Sequence, residues 1–129
     1  MARNVSEVLK VADQMNAVSF SDLMTDDVKF MFSNGNLSTG RDAVVTGLNY
    51  LFSKISALRH DVTGIFENKE GYAVEAVANY TMKDGNVISL PVVSVMKYRG
   101  SKIYDYRIYM DISPIMTYQN GGQTSIKSI

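Results

Sequence analysis

Three side chains in this sequence have the chemistry to move a proton or to bind a ligand oxygen. His60 is the only histidine among the 129 residues, and an unperturbed imidazole can act as an acid or a base near neutral pH. Glu75 shares a strand face with Val77 and Asn79, and if that face lined a pocket, Glu75 could pair with His60 for proton transfer beside a carbonyl group. Tyr106 could donate a hydrogen bond to a ligand oxygen.

Each of these candidates also has a structural interpretation. His60 could be a hydrogen-bonded histidine at a strand edge. Glu75 could be an exposed carboxylate or the partner of a neighbouring lysine or arginine. Tyr106 could be a core residue with its hydroxyl at the rim. The residue types alone leave these alternatives open.

The composition excludes several function classes. The chain has no cysteine, so disulfides, thiolate nucleophiles and cysteine-ligated metals are absent, and a single histidine disfavours a zinc site. Thirteen basic residues balance thirteen acidic ones, which disfavours a nucleic-acid partner. No apolar run approaches the roughly 20 residues that span a bilayer, and residues 1–15 lack the apolar core of a signal peptide. We expect a soluble cytoplasmic protein that uses no metal and no cofactor.

The first half of the chain alternates helical and extended patterns. Apolar residues recur at helical spacing over 4–16, and Ser19 with Asp22 resembles a capping box that predicts a short helix near 20–25. Residues 28–33 predict a strand that ends at an Asn-Gly turn. A second long helix begins at Gly40, with an apolar stripe spaced by four, three, four and three residues; its members are Val44, Leu48, Leu51, Ile55 and Leu58.

The second half predicts four β-strands, at 59–67, 72–82, 86–98 and 102–111. The turns between them are too short for crossovers, so these strands are antiparallel. Pro91 inside the third of them predicts a bulge or a sheet edge at that point. The last strand alternates with period two: one face carries Tyr104, Tyr106, Ile108 and Met110, and the other carries Asp105, Arg107, Tyr109 and Asp111.

The strand at 86–98 is apolar on both faces, which has a consequence for assembly. A sheet that is apolar on both sides must be covered on both sides, and the predicted helices can cover only one. We therefore expect a homodimer through the outer sheet face. We expect residues 1–116 to form one domain and residues 117–129 to form a flexible polar tail.

Four stretches in order carry a resemblance to a known family: Thr-Asp-Asp-Val at 25–28, Gly-Arg-Asp-Ala-Val at 40–44, the Asp-Gly turn at 84–85 followed by Leu90 and Pro91, and residues 102–114. With the element order, they make the chain similar to the NTF2-like superfamily, and within it to the SnoaL-like branch. That superfamily also holds ketosteroid isomerases and limonene-epoxide hydrolases. The resemblance implies an α+β NTF2-like cone, in which a curved antiparallel sheet wraps around N-terminal helices and encloses an apolar pocket.

The resemblance also implies which residues face the pocket. Besides His60 and Tyr106, these are Ala12, Met15, Phe30, Phe32, Ile55, Val62, Leu90, Val92, Ser94, Ile108 and Met110. A buried histidine needs a hydrogen-bond partner, and the candidates on the expected wall are Tyr106, Ser94, Asn79 and Glu75.

The catalytic sets of the two best-known relatives are missing from this sequence. Phe32 occupies the position of the carboxylate base of ketosteroid isomerases, and Ser94 occupies the position of their donor Asp. Helix 1 has no tyrosine that could act as their second donor. Limonene-epoxide hydrolases use an Arg-x-Asp pair and a second Asp, and these three positions are occupied here by Glu75, Val77 and Ile108. The resemblance therefore supports two hypotheses: a cofactor-independent isomerase or cyclase of a hydrophobic carbonyl compound, or a non-catalytic ligand-binding or dimeric assembly module.

Overall fold

The computed structural model describes residues 5–119 and 123–124. In chain order the elements are α1 (Val5–Asp13), α2 (Ala17–Ser21), β1 (Met24–Phe32), β2 (Ser38–Thr39), α3 (Arg41–Phe52), β3 (Ile55–Glu67), β4 (Gly71–Met82), β5 (Val87–Arg99), β6 (Lys102–Tyr109), α4 (Ser113–Met116), β7 (Tyr118–Gln119) and β8 (Gln123–Thr124). No helix of this described part is long and apolar enough to cross a membrane.

One curved, open sheet of six strands forms the body of the protein, in the order β2-β1-β6-β5-β4-β3. Strands β3 to β6 pair antiparallel through short turns, as the sequence predicts. Strand β1 pairs parallel to β6, which the hairpin turns could not indicate. The helices α1 and α3 pack on one side of the sheet, so the predicted α+β cone is confirmed.

The core lies between these helices and the inner face of the sheet. Helix α1 buries Val5, Val8, Leu9 and Ala12, and helix α3 buries Val44, Leu48, Leu51 and Phe52. Strand β4 buries every second residue from Val74 to Met82. This alternation fixes the inner and outer faces of the sheet, and therefore which side chains can reach the interior.

The predicted extension of the second long helix through Leu58 is wrong. Helix α3 ends at Phe52, and Ile55 begins strand β3 opposite Met82. The pairing then skips one residue, so that Ala57 lies opposite Thr81. This bulge lets Ile55 and Leu58 both point inward at a spacing of three, and a spacing of three is also what a helical stripe produces.

The short second helix begins earlier than predicted. It spans Ala17–Ser21, and the side chain of Asn16 accepts a hydrogen bond from the Ser19 N–H at 3.1 Å. Asn16 is therefore the N-cap, and Ser19 lies inside the helix.

The strict alternation predicted for the last strand fails at Tyr104. The β5–β6 pairing passes from Lys97–Asp105 to Tyr98–Ile103, so Tyr104 is an extra residue. Ile103 takes the inner position and is fully buried. Pro91 lies beyond the stretch of β5 that β6 covers, which begins at Val93, so it occupies a local sheet edge, one of its two predicted positions.

The C-terminal segment lies partly outside the described residues. Tyr118–Gln119 pairs antiparallel with Gln123–Thr124, and the Tyr118 hydroxyl donates to Asp84 Oδ2 at 2.8 Å. Residues 120–122 and 125–129 of the predicted tail lie outside the description.

Candidate active site

A small cavity lies inside the cone, between the helices and the inner sheet face. Its volume is about 30 Å³, which is room for about one water molecule. Its lining residues are Ala12, Phe20, Phe32, Leu48, Leu51, Phe52, Leu58, His60, Tyr80, Val92, Ser94, Tyr106 and Ile108. Among these, the polar side chains are one imidazole and three hydroxyls, and apolar side chains make up the rest of the wall.

The imidazole of His60 is held by Asp13, the last residue of α1. His60 Nδ1 lies 2.5 Å from Asp13 Oδ1, and the His60 backbone N–H donates to Asp13 Oδ2 at 3.1 Å. The two side chains are only 12% and 21% exposed. One carboxylate therefore fixes both the backbone and the ring of His60.

This contact decides which ring nitrogen can serve a ligand. Asp13 Oδ2 accepts from the His60 backbone N–H. When Asp13 is ionised, Oδ1 accepts from Nδ1–H of the ring, and Nε2 of a neutral ring then keeps its lone pair. A carboxylate at a helix C-terminus also meets the negative end of the helix dipole. The two N–H groups of His60 offset that unfavourable position.

Two tyrosines supply hydroxyl groups to the same cavity. Burial raises the pKa of Tyr106 above its ordinary value, although a hydrogen bond with Ser94 acts in the opposite direction. Burial, and secondarily the Asp13 carboxylate, also raises the pKa of Tyr80. Both hydroxyls therefore stay protonated at neutral pH and can donate. The Tyr80 hydroxyl lies 3.5 Å from the Met110 sulfur, and a thioether is a weak acceptor.

Several residues predicted for the pocket do line the cavity: Phe32, His60, Val92, Ser94, Tyr106, Ile108 and Ala12. Others pack in the surrounding core without reaching it: Phe30, Ile55, Met15, Leu90 and Met110. Phe30 nevertheless contacts the wall, since its ring centroid lies 5.7 Å from that of Tyr106.

The expected pocket placement of Glu75, Asn79 and Val62 is wrong. Glu75 is exposed on the outer sheet face and accepts a hydrogen bond from the Thr63 hydroxyl at 2.9 Å. Asn79 lies on the same face and donates to Asp61 Oδ2 at 2.8 Å. The inward alternation of β4 passes through Val74 instead. Val62 is 39% exposed.

Sequence reasoning missed Asp13 and Tyr80. Tyr80 could have been found, because it continues the small apolar face of Val74, Ala76 and Ala78 along β4. Asp13 carries no such signal, since it follows the last buried position of a short helix, 47 residues before His60.

The comparisons with known proteins agree with a cone-shaped α+β domain. A family model, the SnoaL-like domain, matches residues 5–106. The chain therefore belongs to the SnoaL-like family. No curated protein matches the chain significantly by sequence.

Solved structures with the same fold are distant in sequence. A hypothetical protein from Catenulispora acidiphila with a ketosteroid isomerase-like fold, in complex with trimethylamine, has a TM-score of 0.75 at 18% identity, covering 86% of this chain and 87% of that one. An NTF2-like protein from Anabaena variabilis has a TM-score of 0.72 at 20% identity, covering 83% of this chain and 86% of that one. A SnoaL-like polyketide cyclase candidate from Jannaschia has a TM-score of 0.70 at 17% identity, covering 88% of each chain. At these identities the likeness shows the fold.

Proposed function

We propose that this protein binds a small hydrophobic carbonyl compound and isomerises or cyclises it without a cofactor. The observation that carries the proposal is the contact between Asp13 and His60 at the wall of the internal cavity. The contact places a partly buried imidazole, bonded to a carboxylate, on the same cavity wall as hydroxyl donors. Such a group suits general acid–base chemistry.

The roles follow from the atoms at the cavity. Nε2 of His60 removes a proton from the carbon next to the carbonyl group, and the electron pair moves to the carbonyl oxygen as an enolate. Tyr80 and Tyr106 donate hydrogen bonds to that oxygen, where a fixed donor stabilises developing charge. When a carbon–carbon double bond is conjugated with the enolate, return of the proton from His60 to the far carbon of that system shifts the double bond and completes an isomerisation. Attack of the enolate carbon on a second carbonyl of the same molecule closes a ring, and the proton then passes to the new alkoxide.

Tyr80 suits this role better than its present contact suggests. Its hydroxyl faces the weakly accepting sulfur of Met110, so a carbonyl oxygen would be a stronger acceptor. Proteins of the same fold include a polyketide cyclase candidate and an epoxide hydrolase/cyclase-like enzyme in pyran ring formation, which supports the cyclase alternative.

Nitrogen-15 NMR of the single histidine tests the proposal directly. We expect the neutral ring of the wild type to carry its proton on Nδ1, and we expect Asp13→Asn to shift the population toward the Nε2–H tautomer, because an amide cannot fix the proton as a carboxylate does. Asp61→Asn, a carboxylate change on the outer face, is the matched control and leaves the tautomer unchanged. A wild-type ring protonated on Nε2 would refute the acid–base role.

The second hypothesis, a non-catalytic binding or assembly module, is favoured by one observation. The cavity volume is about 30 Å³, about a tenth of the lower end of the usual range for ligand pockets, about 300–1,000 Å³. Under this hypothesis the cone is a structural core, and the protein acts as a homodimer through its outer sheet face.

A further inference from the structure

Met110, the residue directly after β6, lies against the hydroxyl group of Tyr80. The Tyr80 hydroxyl donates to the Met110 sulfur at 3.5 Å. A thioether sulfur is a weak acceptor, so this donor is poorly satisfied. Tyr80 also lines the cavity that His60 lines. A chemical change at the Met110 sulfur would therefore act on a group that faces the candidate active site.

Met110 is the first residue of a segment that side chains attach to the rest of the fold. The segment runs from Met110 to Tyr118 and contains α4, and we call it the C-terminal strap. The backbone N–H groups of Ile115, Met116 and Thr117 donate to carbonyls inside the strap. All residues of the strap are described by the structure, and none of them belongs to a strand of the six-stranded sheet.

A few side-chain contacts hold the strap in place. The Ser33 hydroxyl donates to the Met110 carbonyl at 2.8 Å, and the Tyr118 hydroxyl donates to Asp84 Oδ2 at 2.8 Å in the turn between β4 and β5. Between these two points, Ile115 is fully buried. The Met110 side chain is half-buried. A segment held in this way opens locally at a lower free energy than a paired strand does, so small oxidants can reach the Met110 sulfur.

The hydrogen bond to its sulfur distinguishes Met110 from the other methionines. Three of the methionines that the structure describes are buried in the core: Met24, Met82 and Met96. Three others are half-buried, as Met110 is: Met15, Met31 and Met116. Within the described part of the chain, Met110 is the methionine whose sulfur accepts a hydrogen bond from a hydroxyl of the cavity wall.

Oxidation by a peroxide would replace this weak acceptor with a strong one. The sulfur attacks one oxygen of hydrogen peroxide with a lone pair, the O–O bond breaks, and the products are a sulfoxide and water. The sulfur is oxidised, and the peroxide is reduced by the same electron pair. Methionine sulfoxide is polar, and it is returned to methionine by sulfoxide reductases. The flexible methionine side chain lets the new S=O group turn toward the Tyr80 hydroxyl.

We propose that Met110 is a reversible oxidation site and that its sulfoxide oxygen captures the Tyr80 hydroxyl, which removes one hydrogen-bond donor from the cavity. The use of Tyr80 on a carbonyl oxygen rests on the proposed function. Oxidation and capture are properties of the protein alone, and they are tested without a substrate. The tautomer of His60 is measured in the reduced protein, so failure of the oxidation site and failure of the acid–base role are distinguishable.

Peptide mass spectrometry after treatment with hydrogen peroxide tests the oxidation site in the wild-type protein. We expect the Met110 sulfur to be oxidised at least about tenfold faster than the Met96 sulfur, because Met96 is fully buried and needs a larger opening to meet the peroxide. Oxidation of Met110 that is no faster than oxidation of Met96 would remove the site.

Carbon-13 NMR of labelled tyrosine rings tests the capture. Oxidation should shift the Cζ signal of Tyr80, which Tyr80→Phe identifies, and sulfoxide reductases should restore the signal. Met110→Leu keeps a similar side-chain volume and should abolish the shift, whereas Met116→Leu, the matched change in the same strap, should leave the shift unchanged. A Tyr80 signal that does not move when Met110 is oxidised, or that moves equally in Met110→Leu, would overturn the capture.

Discussion

At the residue scale, Asp13 is the side chain on which the candidate site depends. It accepts from both the backbone and the ring of His60, and a buried donor left without an acceptor costs about 1–3 kcal/mol. We expect Asp13→Ala to lower the free energy of unfolding by about that amount, and Asp13→Asn to lower it less, because the amide oxygen still accepts one bond. Urea denaturation followed by circular dichroism measures both.

The matched control is Asp61→Ala on the outer face. Asp61 pairs with Arg59 at 3.2 Å, and both side chains are more than half exposed, so this pair should contribute less than about 1 kcal/mol. An equal loss of stability in the two alanine variants would mean that the Asp13–His60 contact stabilises the fold no more than an exposed ion pair does.

Asp111 provides a pH-dependent prediction. Its carboxylate accepts from the Ser113 N–H at the start of α4, and this hydrogen bond lowers its pKa below the ordinary value of 3.8. A lowered pKa in the folded state means that this hydrogen bond stabilises the fold above pH 3.8 and is lost as the pH falls through the lowered pKa. The Ser113 amide signal should therefore titrate with a midpoint below 3.8, and a midpoint at or above that value would contradict a stabilising bond from Ser113 to Asp111.

The sequence could identify His60 but not its partner. A single histidine in a chain without cysteine stands out by type, and Tyr106 stands out by strand alternation. Asp13 is one of thirteen acidic residues, and only the packing of α1 against β3 brings it to the ring. Glu75 was a candidate because strand parity gives two faces without saying which one is covered.

At the element scale, the close approach of β4 to β5 requires Gly71. A Cβ there would lie 1.9 Å from the Met96 carbonyl oxygen, which is backbone and cannot rotate away. We expect Gly71→Ala to destabilise the protein by more than about 2 kcal/mol, through the forced backbone shift. Thermal unfolding measures the loss.

Gly85 in the next hairpin is the comparison. Its φ is +91°, and a Cβ there would meet nothing within 4 Å. Gly85→Ala should lower the free energy of unfolding only by the cost of holding an alanine in the left-handed conformation, about 1–2 kcal/mol. A larger loss of stability in Gly85→Ala than in Gly71→Ala would show that the backbone conformation, and not the space for a Cβ, makes glycine necessary at these turns.

The elements also show where sequence patterns stop being informative. The strand order from β3 to β6 follows from hairpin turns, and it is correct. The bulges at Ser56, Thr63 and Tyr104 each shift the inward face by one residue. A bulge has no signature in apolar spacing, because one extra residue turns a period of two into a spacing of three. Ile55 and Leu58 therefore had the pattern of helical residues.

At the scale of the whole molecule, the outer sheet face remains to be covered. Val77, Val93 and Val95 lie half-buried on it, and Tyr109 is 48% exposed beside them. Two of its charges are already paired, since Arg107 Nε donates to Asp105 Oδ1 at 2.9 Å, whereas Glu75 accepts a hydrogen bond only from the Thr63 hydroxyl. A second copy that covers this face must therefore leave Glu75 in contact with water or supply a donor to it.

The last prediction is that this face forms a homodimer in solution. A stable interface buries about 800 Å² on each partner, and the face offers apolar side chains from three adjacent strands. Val93→Glu places a carboxylate opposite Glu75 and should convert the dimer to a monomer in multi-angle light scattering at micromolar concentration. Val18→Glu, a change at an exposed position on α2, should leave the dimer intact. A wild-type protein that is monomeric under these conditions would remove the dimer, and the apolar outer face would then need a different partner.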